Sequence, residues 1–438
     1  MDHAATAAIS PPAASAGRPG RTLALLLLTA VGTVNFVDRQ ILSVLAEPIR
    51  QELHLSDTQL GLLTGLSFAL FYAVMGVPAA MLADRVHRVR LVAAACLIWS
   101  GFTGSCALAT SFWQLALARF GVGIGEAGGT APSLSVLADY YPPHRRPAII
   151  GLFTCNGPLG VFIGASLGGW AAAQWGWRGA FVMVAGIGVV ASLLLALLVR
   201  EPARGALDPA PARPQAAIPL GPTVKLFLSR RTLRLLLFAS GVSAFVSYGM
   251  LNWIPAYLMR VQHMPLSEMA KWFGPAAGLC FGIGIWGGGA LVNWAGRKSL
   301  KAYAWVPGIS MLLTAPTLAL AVLAPDWQTS LALMTVPMVL CTIYVAPALA
   351  LVQNLSPVAA RATVTALILL AFNIVGLGGG PLAIGMLSDA LTARHVAEPL
   401  RVALLWVAPV AVVAALGYFA VSRVVGRDAE AVLEEAAP

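Results

Sequence analysis

The chain has 438 residues, of which 58% are apolar and only 11% charged, with a formal net charge of +10. An ordinary soluble domain carries about 25% charged residues, so a water-soluble globule is excluded and lipid is the expected solvent. The basic residues gather in alternate loops (Arg85, Arg88 and Arg90; Arg145 and Arg146; Arg200, Arg204, Arg213, Lys225, Arg230 and Arg231; Arg297, Lys298 and Lys301), which excludes a nucleic-acid footprint.

Residues 1–20 are small and polar with three prolines, and read as a disordered N-terminal tail. Apolar windows of roughly 20 residues or more follow, each long enough as a helix to cross a hydrocarbon core of about 30 Å. They predict twelve transmembrane helices at 22–46, 59–83, 89–109, 112–138, 147–173, 178–199, 233–258, 269–294, 300–323, 329–354, 362–388 and 400–422. The first is no cleaved signal sequence, because it is too long, runs through Asp38 and lacks a small-residue cleavage site.

A Pro- and Ala-rich stretch at 201–222 divides the helices six and six. The expected organisation is a first six-helix bundle at 21–200, a cytoplasmic linker at 201–230, a second bundle at 231–424 and a C-terminal tail at 425–438. A weak repeat supports two pseudo-symmetric bundles: Ala80 to Arg88 after helix 2 is echoed by Gly289 to Lys298 after helix 8. Two halves related by an axis along the membrane normal, with the site between them, is a transporter plan. The positive-inside rule places both termini in the cytoplasm of a multi-pass inner (plasma) membrane protein. The five cysteines sit in apolar helices without ligand-like spacing and are expected to be core residues, neither disulfides nor metal ligands.

Asp38 and Arg39 lie inside helix 1, where no water solvates them. A charge at membrane depth is costly and marks a substrate or ion pathway by default. Asn35, Asp38 and Arg39 share one face of helix 1 at i, i+3 and i+4; Arg119, Gly123 and Glu126 share one face of helix 4. Counting about 1.5 Å per residue from the outer helix ends puts Asp38 and Arg119 at similar depth, with Glu126 roughly 10 Å further in. Asp38 is therefore expected to meet Arg119, and Arg39 to reach Glu126. The plain alternative is a staple of mutually neutralising charges, a poor investment because buried ion pairs are often no better than apolar contacts of the same volume.

Burial favours the neutral form of a mid-membrane carboxyl and a neighbouring guanidinium favours the ionised form, so small movements can switch it. Glu126 is the first candidate proton site and Asp38 the second. Arg39 is the candidate for an anionic headgroup, since its planar fork binds carboxylate or phosphate bidentately and stays charged. The second half offers Ser243, Ser247, Tyr248, Asn252 and Trp253 on helix 7, Thr342 and Tyr344 on helix 10, and Asn373 on helix 11. Singly they read as interhelical hydrogen bonds; with Phe245 they form a weakly polar, aromatic wall opposite a charged one, which suits an amphiphile. Tyr248, Asn252 and Asn373 are the substrate-binding candidates there, facing Arg39, Asn35 and Arg119. Gly164 to Gly168 matches a nucleophile elbow and Gly282 to Gly287 a dinucleotide fingerprint, but neither follows a strand, so no enzyme is expected.

The turn after helix 8, Gly289 to Lys298, is similar to the Gly-x-x-x-Asp-x-x-Gly-Arg-Lys pattern of the major facilitator superfamily, with Asn293 in place of the acid. The turn after helix 2 keeps Asp84 and Arg88 but has Ala80 and His87 where the pattern has glycines. The resemblance implies a conformational latch to helix 11 built on Asp84, Arg85 and Arg88, with Arg297 as its second-half counterpart. Gly157-Pro158-Leu159-Gly160 with Gly164 resembles the family's helix-5 hinge. Asn35-Phe36-Val37-Asp38-Arg39, Ser56 to Leu63, Leu82 to Arg85, Trp99-Ser100 and above all Arg119 to Ala127 resemble the spinster-like branch, which includes lysolipid and sphingolipid transporters. Anion–cation symporters of the same superfamily share the Asn-x-x-Asp-Arg and Gly-x-x-Glu-Ala signatures.

The implied function is secondary active transport by alternating access, driven by a proton or other ion gradient without a cofactor. The implied partners are the bilayer and a small amphiphilic or anionic substrate, with a monomer as the expected state. A lipid- or lysolipid-like substrate is the first expectation and a hexuronate-like organic anion the alternative. A non-transporting membrane sensor is disfavoured by the short loops and tails.

Overall fold

The computed structural model describes residues 18–205, 207, 220–356 and 360–436. Residues 1–17 of the expected tail, and 206 and 208–219 of the expected linker, lie outside the described residues. Every regular element described is helical, as lipid requires: with no water to take up free N–H and C=O groups, only a segment that satisfies its own backbone can cross. Ser and Thr hydroxyls inside the helices donate back to their own chain, as Thr33 does to the Thr29 carbonyl at 2.9 Å and Thr314 to that of Ser310 at 2.8 Å.

Ten stretches are long and apolar enough to cross a membrane. One, Pro143–Leu198, is two helices joined at Gly176, whose φ of 70° breaks the run where a side chain would be strained. Helix 4 is built from two shorter pieces, Phe112–Glu126 and Thr130–Tyr140. The spans therefore number twelve. Helix 1 is Arg18–Val44, helix 2 Asp57–Arg85, helix 3 Arg88–Cys106, and helices 5 and 6 lie either side of Gly176. Helices 7 to 10 are Arg231–Arg260, Leu266–Gly296, Ala302–Val322 and Trp327–Asn354. Helix 11 covers 361–393 in three joined segments, and helix 12 runs through Pro399–Leu405 and Val407–Ala436.

Helix 12 thus runs well past residue 422, and the segment set apart as a tail is helical as far as Ala436. Hydropathy stops at the membrane surface, but the backbone ladder does not. Asp428 on this extension accepts a hydrogen bond from the Thr232 backbone N–H at 2.8 Å and so ties it to the start of helix 7.

The two halves repeat one another in detail. Helices 2 and 8 each open with a wide five-residue turn, Leu62–Leu66 and Met269–Phe273, and helices 4 and 10 are each interrupted midway, at 127–129 and 341–344. All but one of the exposed tryptophans fall at two levels: Trp294 and Trp305 at the end that carries the chain termini, and Trp113, Trp170, Trp175, Trp272 and Trp406 at the far end, with Trp286 midway along helix 8. Such girdles stand at the two membrane–water interfaces. All five cysteines are free, with Cys155 half-buried and the others buried.

At the far end the halves close on each other. Ser43 of helix 1 donates to the Asn252 side-chain oxygen of helix 7 at 2.6 Å. Helix 2 meets helix 11 so closely that a Cβ on Gly385 would stand 2.2 Å from the Asp57 carbonyl oxygen, which only glycine avoids. At the termini end the same helices part: Val74, Met81 and Leu82 of helix 2 and Leu369 and Leu370 of helix 11 are exposed. A cleft therefore opens between the halves toward the termini.

Candidate functional site

The site lies where helices 1 and 4 meet in the first half. Helix 4 stops at Glu126, and the Gly129 N–H returns to the Glu126 carbonyl at 3.0 Å before the second piece begins. That break fixes Glu126 at mid-depth, facing helix 1. The Arg39 Nε donates to Glu126 Oε2 at 2.9 Å, with the Glu126 side chain 0% exposed and that of Arg39 17% exposed. Only Arg39 of the pair therefore reaches solvent. Its guanidinium carbon stands 4.6 Å from the Phe68 ring centre, 4.7 Å from that of Tyr72 and 5.3 Å from that of Phe36. Each such contact contributes on the order of 0.5–2 kcal/mol, so the aromatic rings hold the fork in place and leave its edge for a partner.

Asp38 and Arg119 are brought together, though not as the depth count suggests. Arg119 Nη1 donates to the backbone carbonyl of Asp38 at 3.3 Å, and the Asp38 carboxyl oxygens have no hydrogen-bond partner among the described residues. A helix carbonyl beside a buried guanidinium can accept without a second charge, so reaching the same depth does not decide which oxygen is met. Asp38 and Arg119 are each 1% exposed, and Asn35, 4% exposed, flanks Glu126 on the same face.

The second-half candidates are more dispersed. Asn252 is occupied: it accepts from Ser43 and donates to the Tyr248 carbonyl at 2.9 Å, so in this state it serves closure. Tyr248 is half-buried beside Arg39, and Asn373 donates to the Leu369 carbonyl at 2.8 Å within the wide turn of helix 11.

Among the described residues, no hydrogen bond or ion pair joins the latch residues to helix 11. Arg88 is buried within the first half, 2.5 Å from Asp139 and 2.6 Å from Glu201, and also donates to the Ser135 hydroxyl at 2.9 Å. Arg204 donates to the carbonyls of Ala83, Asp84 and Val86 at the end of helix 2. Asp84, Arg85 and Arg297 are exposed and form no ion pair among the described residues. The hinge residues Gly157 and Pro158 follow a break at Cys155 and stand against helix 8 at Phe281 and Gly278.

A charged lock at the far end was not foreseen. Arg260, ending helix 7, forks onto Asp57 (2.8 and 2.9 Å) and donates from Nε to Glu47 at 2.8 Å. Ser388 donates to Asp57 at 2.6 Å, and the Asp389 carboxylate accepts the N–H groups of Asp57 and Thr58 at 3.0 and 2.8 Å. Asp57, Arg260, Ser388 and Asp389 line an outer vestibule of about 500 Å³. The one signal in the sequence was Ser56-Asp57-Thr58-Gln59, a capping box that presents Asp57 at the start of helix 2.

The Major Facilitator Superfamily model matches residues 28–307. An MFS-type efflux pump of Mycolicibacterium smegmatis is 34% identical over 411 residues, 94% of both chains. A hexuronate transporter of Bacillus subtilis is 29% identical over 287 residues, 63% of this chain and 65% of that one. Among solved structures, a bacterial homologue of the human lysosomal transporter Spinster in an inward-facing, unoccupied conformation superposes with a TM-score of 0.87 at 31% identity, covering 94% of this chain and 99% of that one.

Proposed function

The chain belongs to the major facilitator superfamily, on its spinster-like branch, and from that premise we propose that it carries an amphiphilic, lipid- or lysolipid-like or other organic anion by proton-coupled alternating access. The observation that carries this reading is the Arg39–Glu126 pair. Its guanidinium reaches the cleft while its carboxylate is sealed, so substrate and proton act on one contact from opposite sides. An anion arriving at the edge of Arg39 competes with Glu126 for the same donors, and protonation of Glu126 releases Arg39 to the anion. Asp38, buried beside Thr103, is the second proton site, and Asn35 and Arg119 fix the orientation of both carboxyls. Tyr248 and Asn373 supply the opposite wall, and Asn252 joins them when its contact with Ser43 breaks.

The basic loops support an inner-membrane protein with both termini in the cytoplasm; the cleft would then open to the cytoplasm. We take the unit to be a monomer that needs no cofactor. The small-anion reading is kept because the Bacillus subtilis hexuronate transporter is 29% identical to this chain over 287 residues and because the fork of Arg39 serves a free carboxylate equally well.

The test is uptake into proteoliposomes with and without an imposed pH gradient, comparing a lysophospholipid with a hexuronate. Gradient-stimulated uptake of the lysophospholipid is expected. Uptake of the hexuronate alone would move the assignment to the symporter reading, and uptake of neither would favour a sensor.

A further inference from the structure

The outer flank of the second half carries a groove that the transport reading does not use. It lies between helices 9 and 12 at the termini end, holds about 410 Å³, and is lined by Lys301, Trp305, Leu416, Phe419 and Arg423 among others. All its lining residues stand on those two helices or, for Lys301, at the cap of helix 9. None comes from helices 2 and 11, between which the cleft opens, so an occupant of this groove is no occupant of the transport site.

Two helical stripes give the groove its polarity. On helix 9 the Trp305 N–H bonds to the Lys301 carbonyl at 2.9 Å, which sets the two side chains one turn apart on one face. On helix 12 Leu416, Phe419, Ala420 and Arg423 recur at i, i+3, i+4 and i+7. At about 1.5 Å per residue, Lys301 stands roughly 6 Å beyond Trp305 toward the termini end and Arg423 about 10 Å beyond Leu416. Trp305 belongs to the tryptophan level that marks the membrane–water interface on this side. The two cations are therefore at headgroup depth, and the apolar wall beneath them is at the depth of acyl chains.

The wall is already in place. The Trp305 and Phe419 ring centres are 5.0 Å apart, and Phe419 packs so closely on helix 9 that a Cβ on Gly308 would fall 2.9 Å from its ring. A preformed groove asks little ordering of its occupant's binding site. The charge, in contrast, is open: Lys301 and Arg423 are exposed and form no ion pair among the described residues. Asp428, the next acid along helix 12, faces helix 7 and accepts the Thr232 N–H at 2.8 Å. The Ser422 hydroxyl donates to the Phe419 carbonyl at 2.7 Å, which leaves the donors of the groove to the two cations and the Trp305 indole.

We propose that this groove binds an anionic phospholipid from the leaflet on the termini side. Its phosphate sits between Lys301 and Arg423, the guanidinium offering a planar fork and the ammonium a point charge. One acyl chain lies along Trp305, Phe419 and Leu416. An apolar wall alone would take any lipid; two cations without an acid between them select the anionic class, because a zwitterionic headgroup brings its own cation to the same place. Each Lys or Arg near an anionic lipid surface is worth about fivefold in affinity, so the pair should favour the anionic lipid about thirtyfold.

The test is native mass spectrometry of the purified full-length protein with phosphatidylglycerol and phosphatidylcholine of equal chain length in competition. The parent should retain one phosphatidylglycerol in preference to phosphatidylcholine, and Lys301→Gln with Arg423→Gln should erase that roughly thirtyfold preference. Arg90→Gln with Arg145→Gln removes two exposed charges from the same end of the other half and should leave it intact. A preference that survives the groove substitutions overturns the proposal, as does an equal loss in both double variants, which would reduce the effect to general surface charge. Displacement of the lipid by an equal concentration of sn-glycerol 3-phosphate would assign the cations to a soluble phosphate and overturn it too. If the groove variant does not fold, a density map of the parent in phosphatidylglycerol nanodiscs decides. Headgroup density between Lys301 and Arg423 supports the site, and its absence there sinks it.

Discussion

Replacing Arg260 by Met tests whether the far-end lock sets the conformational balance. Met keeps most of the stem volume and removes three charge-assisted hydrogen bonds to Glu47 and Asp57. Breaking a buried ion pair by removing one partner costs about 3–5 kcal/mol. Here the figure must be reduced: the Arg260 side chain is 21% exposed against 5% for Glu47 and 6% for Asp57, and Arg50 and Ser388 still donate to the two carboxylates. In the alternative state, open at the far end, water solvates all three groups and the substitution costs little. The net shift toward that state is therefore about 2 kcal/mol, or roughly thirtyfold in the conformational equilibrium. Spin labels at Leu108 and Leu323, both exposed at the far end, report it as a long-distance population in pulsed electron paramagnetic resonance, with Cys155 changed to Ser to remove the half-buried native thiol. A distance distribution identical to the parent's would refute the reasoning.

The same label pair should respond to acid. Burial works to raise the Glu47 carboxyl, but the hydrogen bond from Arg50 and the charge of Arg260 outweigh it and hold it below the usual carboxylate range. A group depressed in the closed state supports closure fully above the ordinary carboxylate pKa of about 4.3 and loses that support as pH falls through the closed-state value. Opening should accordingly begin only below about pH 4; opening already under way at pH 6 would assign it to another group. Gly385→Val should force the far end apart in the same assay, because its side chain would meet the Asp57 backbone rather than a flexible group. Arg39→Lys, which keeps charge but loses the fork, should weaken substrate binding by about 1–3 kcal/mol in a titration of the purified protein, and a negligible change would reduce Arg39 to a staple for Glu126. Cysteines introduced at Ala5 and Ala436 should resist impermeant labelling from outside intact cells, and efficient labelling would reverse the topology.

How much of this was legible depended on range. Apolar windows revealed the twelve spans because lipid leaves the backbone no alternative to the helix. They missed the end of helix 12, where hydropathy ceases before the hydrogen-bond ladder does. Helical periodicity placed Asn35, Asp38 and Arg39 on one face, and Arg39 meets Glu126 across 87 residues of sequence. The same reasoning brought Arg119 to Asp38 but could not say to which oxygen, since a long side chain at the right depth can choose a carbonyl over a carboxylate. The far-end lock lay beyond reach: Arg260 is 203 residues from Asp57 and 213 from Glu47, and nothing local marks the end of helix 7 as their meeting point.

Among the described residues the two ends of the molecule are unequally tied, and that asymmetry bears on how it cycles. At the far end Arg260, Ser388 and Asp389 join the halves directly through Asp57 and its neighbours. At the termini end the charges close within the first half, where Arg88, Asp139 and Glu201 hold helices 3 and 4 to the start of the linker. A transporter that alternates must keep its two states within a few kcal/mol, since a preference of about 2.7 kcal/mol already means about 99:1 populations and reversing it takes about 5.5 kcal/mol of ligand selectivity. Losing a far-end lock of about 2 kcal/mol therefore calls for a new inter-half contact of similar size at the termini end. Asp84 is the group placed to make it: it ends helix 2, is exposed in this state, and has no ion pair among the described residues. Its backbone carbonyl is already held by Arg204, so the helix end is rigid and only the carboxylate is free to take a partner from helix 11. The latch implied by the sequence would then be absent here because it belongs to the other state.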